Sequence, residues 1–319
     1  MKVAPFQVEA VMNQTDEIPY GVRMVEAPAL WERENAGEGI IVSVLDTGCE
    51  MNHPDLKPQI IAGYNFTNDY NANRGNFNDN NGHGTHVCGT IAATLDDKGV
   101  VGVAPECKLL VCKVLSGDGS GQYDWIIKAI HYSIDWRGPN QERVRVINMS
   151  LGGPVDVPDL HAAVKRAVDN GISVVVAAGN EGDDDETTYE IGYPGNYNEV
   201  ISVGAVDTNN KMAPFSNNNF EVDLVAPGVD ILSTYPGGRY AKLSGTSMAA
   251  PHVAACMALL VKEGEVAFRR EFTEAEMFAA LVKHTVPLGY PASREGHGLV
   301  RLGIMERLRA LIQYIKENY

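Results

Sequence analysis

Seven short apolar runs, rich in Val and Ile, set the strongest limit on how this chain can fold. Their hydrophobic residues are nearly continuous rather than alternating, which is typical of parallel strands buried on both faces. The runs are residues 39–46, 59–66, 108–115, 144–151, 172–179, 199–206 and 221–228. Helical patterns lie between several of them, at residues 84–95, 123–136 and 159–170. This alternation predicts an α/β fold class: one domain with a doubly wound, mostly parallel twisted sheet and helices on both faces.

The charge and the lack of long apolar runs limit the classes of partner. With 319 residues, 45% of them hydrophobic, the chain can bury a large core. The formal net charge of −15 argues against nucleic acid or an anionic membrane, because phosphate binding needs clustered Lys and Arg. No run approaches the ~18 apolar residues that span a bilayer, and the N-terminus lacks a secretory signal pattern. We therefore expect a cytoplasmic protein that binds neither nucleic acid nor membrane.

The five cysteines favour a reducing compartment. Their number is odd, no Cys-x-x-Cys motif occurs, and each lies within or beside an apolar segment. This pattern predicts small reduced core residues, with disulfides or metal ligands as the alternative. The residues are Cys49, Cys88, Cys107, Cys112 and Cys256.

Three polar residues stand at the ends of predicted elements. Asp46 ends the run at 39–46, His83 precedes an apolar helical stretch, and Ser247 precedes another. Pro251 is tolerated in the first turn of a helix, so that second helix should begin near Thr246. Asp46 and Ser247 each have an ordinary structural interpretation, as a turn Asp and as a helix N-cap Ser. Together, Asp, His and Ser are also the types that form a catalytic triad.

Two other kinds of site fit the sequence less well. His83 and His86 are three residues apart, but no third metal ligand has the right spacing and HExxH is absent. We therefore predict that His86 is a core histidine. An α/β-hydrolase would place Ser before Asp and His within a GxSxG motif, whereas GTSMA (245–249) ends in Ala.

Three segments closely resemble the catalytic segments of the subtilisin-like serine proteases: VLDTG (44–48), NGHGTHVCGT (81–90) and LSGTSMAAPHVA (243–254). The resemblance extends from about Ile18 to Val286. It implies a subtilisin-like fold in which Asp46 orients His83, the general base and acid, and Ser247 attacks the peptide bond. Asn180 then supplies the side-chain donor of the oxyanion hole. The alternatives are a catalytically silent peptide-binding or regulatory homologue and a general esterase.

The same resemblance implies a peptide groove. Substrate would pair with Ser150, Leu151 and Gly152 on one side and with Gly121 on the other. A pocket for the residue before the scissile bond, expected to be apolar or aromatic, would be lined by Ala177, Gly179 and Gly192. Tyr123 and Ile126 would line a further apolar pocket. Tyr193-Pro194 resembles the family's cis-proline turn. Ordinary strand and loop packing is the alternative for all of these residues.

The resemblance also implies Ca²⁺ as the only cofactor, in one tight site. Asp55 and Asp96 match its side-chain ligands, and Asp16 is positioned as an N-terminal ligand. Carbonyl ligands are expected from Thr94, Lys98 and Val100. Oxygen ligands of this number suit Ca²⁺, although solvated loop acids are the alternative. Asp207 is a candidate for a second, weaker cation site.

The N-terminal segment resembles that of the intracellular branch of the family, whose short extension carries a Leu-Ile-Pro-Tyr/Phe motif. Here the corresponding residues are Val3, Ala4, Pro5 and Phe6. We predict that residues 1–17 form an inhibitory extension across the active site, with Pro5 displacing the nearest peptide bond from Ser247. Cleavage between Asn13 and Glu17 would then activate a catalytic domain at 18–300. A disordered N-terminus is the alternative.

The C-terminal segment, residues 301–319, has an apolar stripe at helical spacing. The stripe consists of Ile304, Leu308, Leu311, Ile312 and Ile315. Packing on its own domain is one interpretation. The intracellular relatives are dimers, so the resemblance favours a homodimer contact for this stripe. The expected partners of the chain are therefore a second copy of itself and its polypeptide substrates.

Overall fold

The computed structural model describes residues 1–3, 6–32 and 35–318. Its strands are β1 (Gln7–Met12), β2 (Asp16–Glu17), β3 (Ile41–Asp46), β4 (Ile60–Asn65), β5 (Gly99–Val100), β6 (Lys108–Lys113), β7 (Val144–Met149), β8 (Ser173–Ala177), β9 (Ile201–Val206), β10 (Val222–Pro227), β11 (Ile231–Tyr235), β12 (Arg239–Ser244), β13 (Thr285–Val286) and β14 (Leu299–Val300). Its helices are α1 (Tyr20–Met24), α2 (Pro28–Trp31), α3 (Asp69–Ala72), α4 (His83–Ala92), α5 (Tyr123–Asp135), α6 (Pro158–Asp169), α7 (Thr246–Phe268), α8 (Glu274–Val282), α9 (Ala292–Glu295) and α10 (Ile304–Asn318), with a 3₁₀ turn at Asn35–Gly37. Across these described ranges, none of the helices combines the length and apolarity needed to cross a lipid bilayer.

A nine-stranded sheet forms the centre, in the order β13-β14-β10-β9-β8-β7-β3-β6-β4. Neighbouring strands are parallel except for the pair β13 and β14. One face packs against α4 and α7, and the other packs against α5 and α6, so the sheet lies between two hydrophobic cores. The predicted α/β class, with a mostly parallel sheet covered on both faces, is confirmed.

The seven predicted strand runs correspond to β3, β4, β6, β7, β8, β9 and β10, and the three helical patterns correspond to α4, α5 and α6. The sequence patterns did not predict a second, antiparallel sheet in the order β1-β12-β11. It joins the N-terminal segment to a hairpin more than 200 residues away in the chain.

Helix α7 begins at Thr246, as Pro251 in its first turns indicated. Every residue from Thr246 to Val261 is buried, so the helix is apolar all round and passes through the interior. This burial holds the N-terminus of α7, and Ser247 with it, in a fixed position against the ends of the central strands.

All five cysteines are buried free thiols, which confirms their prediction as reduced core residues. Burial raises the pKa of Cys107 and of Cys112 to about 12. Such thiols stay protonated and unreactive at neutral pH.

Candidate active site

Asp46 and His83 come together from two different elements, and Ser247 lies at the start of a third. Asp46 is the last residue of β3, His83 the first of α4 and Ser247 the second of α7. His83 Nδ1 lies 2.8 Å from Asp46 Oδ1, and both side chains are buried. The backbone N–H of Thr47 also donates to Asp46 Oδ1, at 2.7 Å. A buried carboxylate held in this way fixes the orientation of the imidazole ring.

The hydroxyl of Ser247 is turned towards Ser150, on one of the predicted groove edges. Ser247 Oγ donates to the carbonyl oxygen of Ser150 at 3.3 Å, and Ser150 Oγ donates to the carbonyl of Ser247 at 2.9 Å. His83 Nε2 is buried and makes no hydrogen bond to any residue in the described ranges. A hydrogen bond between Ser247 and His83 would therefore need the side chains to be oriented differently.

Asn180 is held by the first residue of α7. Its Oδ1 accepts hydrogen bonds from the backbone N–H of Thr246 at 2.8 Å and from Thr246 Oγ1 at 2.7 Å. Because the carbonyl end of the amide faces Thr246, the NH₂ end points away from it. A Cβ on Gly245 would lie 3.0 Å from Asn180 Nδ2, so the glycine leaves room for that group. The arrangement directs an N–H donor to the N-terminus of α7, where negative charge is favoured.

The first three residues of the chain form a strand between the two predicted groove edges. Lys2 pairs with Gly152 on one side, and residues 1–3 pair with the loop before α5 on the other. The backbone hydrogen bonds are Lys2 N to Gly152 O (3.1 Å), Gly152 N to Lys2 O (3.0 Å), Val3 N to Gly119 O (2.8 Å) and Gly121 N to Met1 O (2.9 Å). These are the contacts of a peptide added to both edges by β-augmentation.

Phe6 continues this path over the triad. Its ring centroid lies 5.0 Å from that of His83, and its side chain is half-buried against both cores. The predicted motif residues Ala4 and Pro5 lie outside the described residues. The described part of the extension thus contacts the groove before the triad and the imidazole itself.

A cavity of about 260 Å³ opens beside the groove. Five of the predicted residues line it: Leu151, Gly152, Ala177, Gly179 and Gly192. Sequence reasoning missed Glu181, which also lines the cavity and directly follows Asn180 in the chain. A Cβ on Gly179 would lie 2.6 Å from Glu181 Oε2, so the carboxylate lies over this glycine. The lining is apolar apart from Glu181 and from Lys2 of the N-terminal segment.

Tyr123 and Ile126, which were predicted to line a second pocket, lie at the other end of residues 1–3. A Cβ on Gly153 would lie 3.0 Å from Met1 Sδ and 3.3 Å from the hydroxyl of Tyr123. Met1 and Tyr123 pack against the core that contains the buried Ile126. The Tyr193-Pro194 peptide bond near the groove is cis, as expected.

Comparison with known proteins agrees with this architecture. The sequence model of the subtilase family matches residues 37–299. The chain belongs to the subtilase family. It is 56% identical over 306 residues to an intracellular serine protease of Paenibacillus polymyxa, covering 96% of this chain and 92% of that protein. It is 49% identical over 309 residues to the major intracellular serine protease of Bacillus subtilis (strain 168), covering 97% and 95%.

Subtilisin E of Bacillus subtilis (strain 168) is a more distant relative, 45% identical over 250 residues, covering 77% of this chain and 61% of subtilisin E. The predicted resemblance to the subtilisin-like serine proteases is confirmed, and this subtilase is an enzyme of the serine protease type.

In this subtilase the predicted calcium ligands surround one cavity of about 180 Å³, lined by Asp16, Thr94, Asp96, Lys98 and Val100. Asp55 adjoins it, because its Oδ2 accepts from Val100 N at 3.0 Å and its Oδ1 accepts from the Tyr240 hydroxyl at 3.2 Å. Burial raises the pKa of Asp55. The Thr94 hydroxyl is buried without a hydrogen-bond partner in the described ranges.

These residues fit Ca²⁺, since carboxylate and carbonyl oxygens are its preferred ligands. No group of three or more His, Cys, Asp or Glu side chains that could hold a metal occurs within residues 1–3, 6–32 and 35–318. A cation here would therefore rely on carbonyl oxygens as well as carboxylates. Asp207 closes a turn, accepting from the N–H groups of Asn209 and Lys211 at 2.8 and 2.9 Å.

His86 is a core histidine, as predicted. Its Nε2 lies 2.8 Å from the carbonyl oxygen of Ile231 and 3.2 Å from that of Ala241. Burial lowers the pKa of His86 to about 3. It therefore stays neutral and links α4 to the hairpin of β11 and β12.

Sequence reasoning also missed Lys113, a fully buried cation at the end of β6. Its Nζ donates to the Thr47 carbonyl (2.7 Å), Asn80 Oδ1 (2.9 Å) and the Leu115 carbonyl (2.9 Å), and lies 3.1 Å from Asp69 Oδ2. Lys113 thereby connects the turn after Asp46 to the loop before His83. The only signal in the sequence was a Lys inside the apolar run at 108–115.

Proposed function

We propose that this subtilase is a calcium-dependent intracellular serine endopeptidase, made as a precursor that its N-terminal extension keeps inactive. The observation that carries the proposal is the buried pair of His83 and Asp46, 2.8 Å apart, in a chain that also holds Ser247 at the N-terminus of α7. The names of the relatives from P. polymyxa and B. subtilis support an intracellular, cytoplasmic site of action.

Catalysis begins when Ser247 Oγ attacks the scissile carbonyl carbon and its proton moves to His83 Nε2. Asp46 stabilises the imidazolium that forms. The oxyanion accepts hydrogen bonds from Asn180 Nδ2 and the Ser247 backbone N–H. The C–N bond then breaks, and His83 returns the proton to the leaving amine. Water attacks the acyl-enzyme with His83 as base, which releases the acid and restores Ser247.

Substrate binding in this proposal uses the groove that residues 1–3 fill. The backbone pairing of Lys2 with Gly152 supports an extended substrate between the two edges. The pocket formed by Leu151, Ala177 and Gly179 would take an apolar or aromatic side chain before the scissile bond. The remaining predicted contacts, Ser150 and Gly192 at the pocket and Tyr123 with Ile126 further along, belong to the same groove.

Inhibition by residues 1–17 follows from the same contacts. Substrate cannot pair with Gly152 and Gly121 while Lys2 and Met1 occupy their backbone groups. Phe6 covers His83, and Ser247 is turned to Ser150 rather than to the imidazole. Cleavage between Asn13 and Glu17 would release this segment and leave the catalytic domain at 18–300.

Calcium has a structural role in the proposal. Asp16, Asp55 and Asp96 would supply carboxylates, and Thr94, Lys98 and Val100 would supply carbonyl oxygens. When bound, the ion supplies positive charge that holds these segments together. Asp16 Oδ1 already accepts from Gly99 N at 2.9 Å, so the end of the extension is tied to this loop. Asp207 remains the candidate for a second, weaker site.

A homodimer through α10 is the last part of the proposal. The helix exposes an apolar stripe, with Leu308, Leu311, Ile312 and Ile315 each between 46% and 54% exposed. Light scattering after size exclusion tests it with Leu308→Glu and Ile312→Glu, which should give monomers. Val155→Glu, at a residue that is 53% exposed elsewhere, is the control and should stay dimeric. Equal masses for all of these variants would contradict the dimer.

The protease proposal is tested by cleavage of an unfolded protein over time, with calcium or with chelator. Intact chain should show a lag, a chain lacking residues 2–16 should be active at once, and Ser247→Ala should stay inactive. Chelator should lower the melting temperature of all three. If intact and truncated chains, folded and loaded with calcium, are as inactive as Ser247→Ala, the silent peptide-binding homologue replaces the protease. Ester cleavage without amide cleavage would favour an esterase.

A further inference from the structure

Strand β1 is the part of the extension that lies beyond the triad. It pairs antiparallel with β12, from Gln7 opposite Ser244 to Met12 opposite Tyr240. The other edge of β12 pairs with β11, so β12 is the middle strand of this small sheet. If β1 is removed, β12 becomes an edge strand with a row of unpaired N–H and C=O groups. Such an edge is a template for another extended chain.

The direction of β1 matches the direction proposed above for substrate, whose residue before the scissile bond would enter the pocket beside Gly152. Residues 1–3 pair with the groove on one side of the triad, and Phe6 lies on His83. Gln7 follows directly and begins the pairing with Ser244, three residues before Ser247. The chain thus passes the catalytic centre in one direction. Residues of a substrate that lie C-terminal to the scissile bond would leave along the same path.

Backbone contacts dominate the pairing of β1 with β12. Five of the six β1 side chains are exposed, including Val8 at 49% and Val11 at 44%. Met12 alone is partly buried, against a small cluster that contains Tyr240. Glu9 lies at a bulge and accepts a weak hydrogen bond from Ser244 Oγ at 3.4 Å. Pairing of this kind depends on backbone hydrogen bonds, so it tolerates many sequences.

We propose that, after the extension is removed, the free edge of β12 from Ser244 to Tyr240 binds the substrate segment that lies C-terminal to the scissile bond. The segment adds as an antiparallel strand in place of β1. This inference rests on the proposed protease function and deepens it. It makes the substrate class a long extended polypeptide, because a short peptide reaches Ser244 at most and cannot pair along β12 as far as Tyr240.

The test compares peptides that share one sequence up to the second residue after the scissile bond. They continue for two, four, six or eight residues beyond that bond. The enzyme is the full chain, incubated with calcium until mass spectrometry shows that β1 has been removed. We expect kcat/KM to rise about tenfold from the shortest to the longest peptide, through KM, because strand hydrogen bonds far from the reacting atoms bind substrate and transition state alike.

Backbone N-methylation of the longest peptide separates strand pairing from a general effect of length. Alternate N–H groups of a strand face β12, so methyl groups at alternate positions should raise KM and those between them should not. Equal kcat/KM at all lengths, or equal effects of both methylation patterns, would overturn the β12 site while leaving the protease intact. Failure to lose the extension or to cleave unfolded protein would overturn the proposed function and this inference with it.

Discussion

Phe6 lies against the imidazole of His83, with the ring centroids 5.0 Å apart and the ring planes at 52°. One ring comes from the N-terminal extension and the other from the first residue of α4. The contact places an aromatic side chain beside the proposed catalytic base. Weakening this contact should therefore raise the activity of the intact chain more directly than weakening any other contact of the extension.

Replacing Phe6 with Ala should shorten the activation lag of the intact chain about tenfold. The lost ring contact weakens docking of the extension by ~1.4 kcal/mol, which is modest for a half-buried aromatic side chain. Val8→Ala is the control, because Val8 lies in the same extension but is 49% exposed. Progress curves with an unfolded protein give the lags. Equal lags for both variants would show that Phe6 does not hold the extension.

Asn180→Asp should lower kcat about 10²–10³-fold with little change in KM. This is the range known from subtilisin itself, a relative of this chain, for loss of its side-chain oxyanion donor. Asp keeps the oxygen that accepts from Thr246, so the melting temperature should hold while the N–H donor is lost. Steady-state kinetics and thermal unfolding check both parts. A change in KM with kcat unchanged would contradict an oxyanion role.

Glu181→Gln should weaken the preference of the enzyme for substrates with Lys before the scissile bond. The carboxylate lies over Gly179 in the proposed substrate pocket, where it can pair with a substrate Lys. Removing one exposed ion pair costs ~1 kcal/mol, or about fivefold in kcat/KM for Lys. The matched Phe substrate is the control and should be unaffected. An unchanged Lys-to-Phe ratio would remove Glu181 from the pocket's specificity.

Lys113→Met should lower the free energy of unfolding by about 3 kcal/mol, because it leaves Asp69 and the Thr47 carbonyl without their buried cation. Lys128→Met is the control. Lys128 forms an ion pair with Asp124 on the surface of α5, with both side chains 62% exposed, and should change stability by less than ~0.5 kcal/mol. Urea unfolding measures both. Similar losses in the two variants would contradict the bridging role of Lys113.

Asp223 should make stability depend on pH. Burial raises its pKa from 3.8 to about 7, while its Oδ2 accepts from Ser202 N at 2.8 Å. Between these pH values the folded chain binds more protons than the unfolded chain, so the free energy of unfolding falls as pH rises. Asp223→Asn should reduce this slope, whereas Asp169→Asn, at an exposed position, should not. The free energy of unfolding, measured at a series of pH values, tests this prediction. Equal pH slopes for Asp223→Asn and the unmodified chain would contradict it.

Local pattern was enough to predict the central architecture. The apolar runs of β3, β7, β8 and β9 are buried along their length and formed strands because a continuous Val- and Ile-rich run needs both faces covered. The motifs around Asp46, His83 and Ser247, with the family that they resemble, predicted the pairing of Asp46 with His83.

Tertiary structure alone decided the rest. Nothing local to Gln7–Met12 specifies β12 as its partner, because strand pairing over more than 200 residues depends on where the rest of the chain has placed a free edge. Glu181 and Lys113 became part of the site region for the same reason. Whether a charged side chain is exposed or enclosed depends on neighbours that come from distant segments. The sequence determined the chemistry available to this subtilase, and packing determined which path a peptide follows across it.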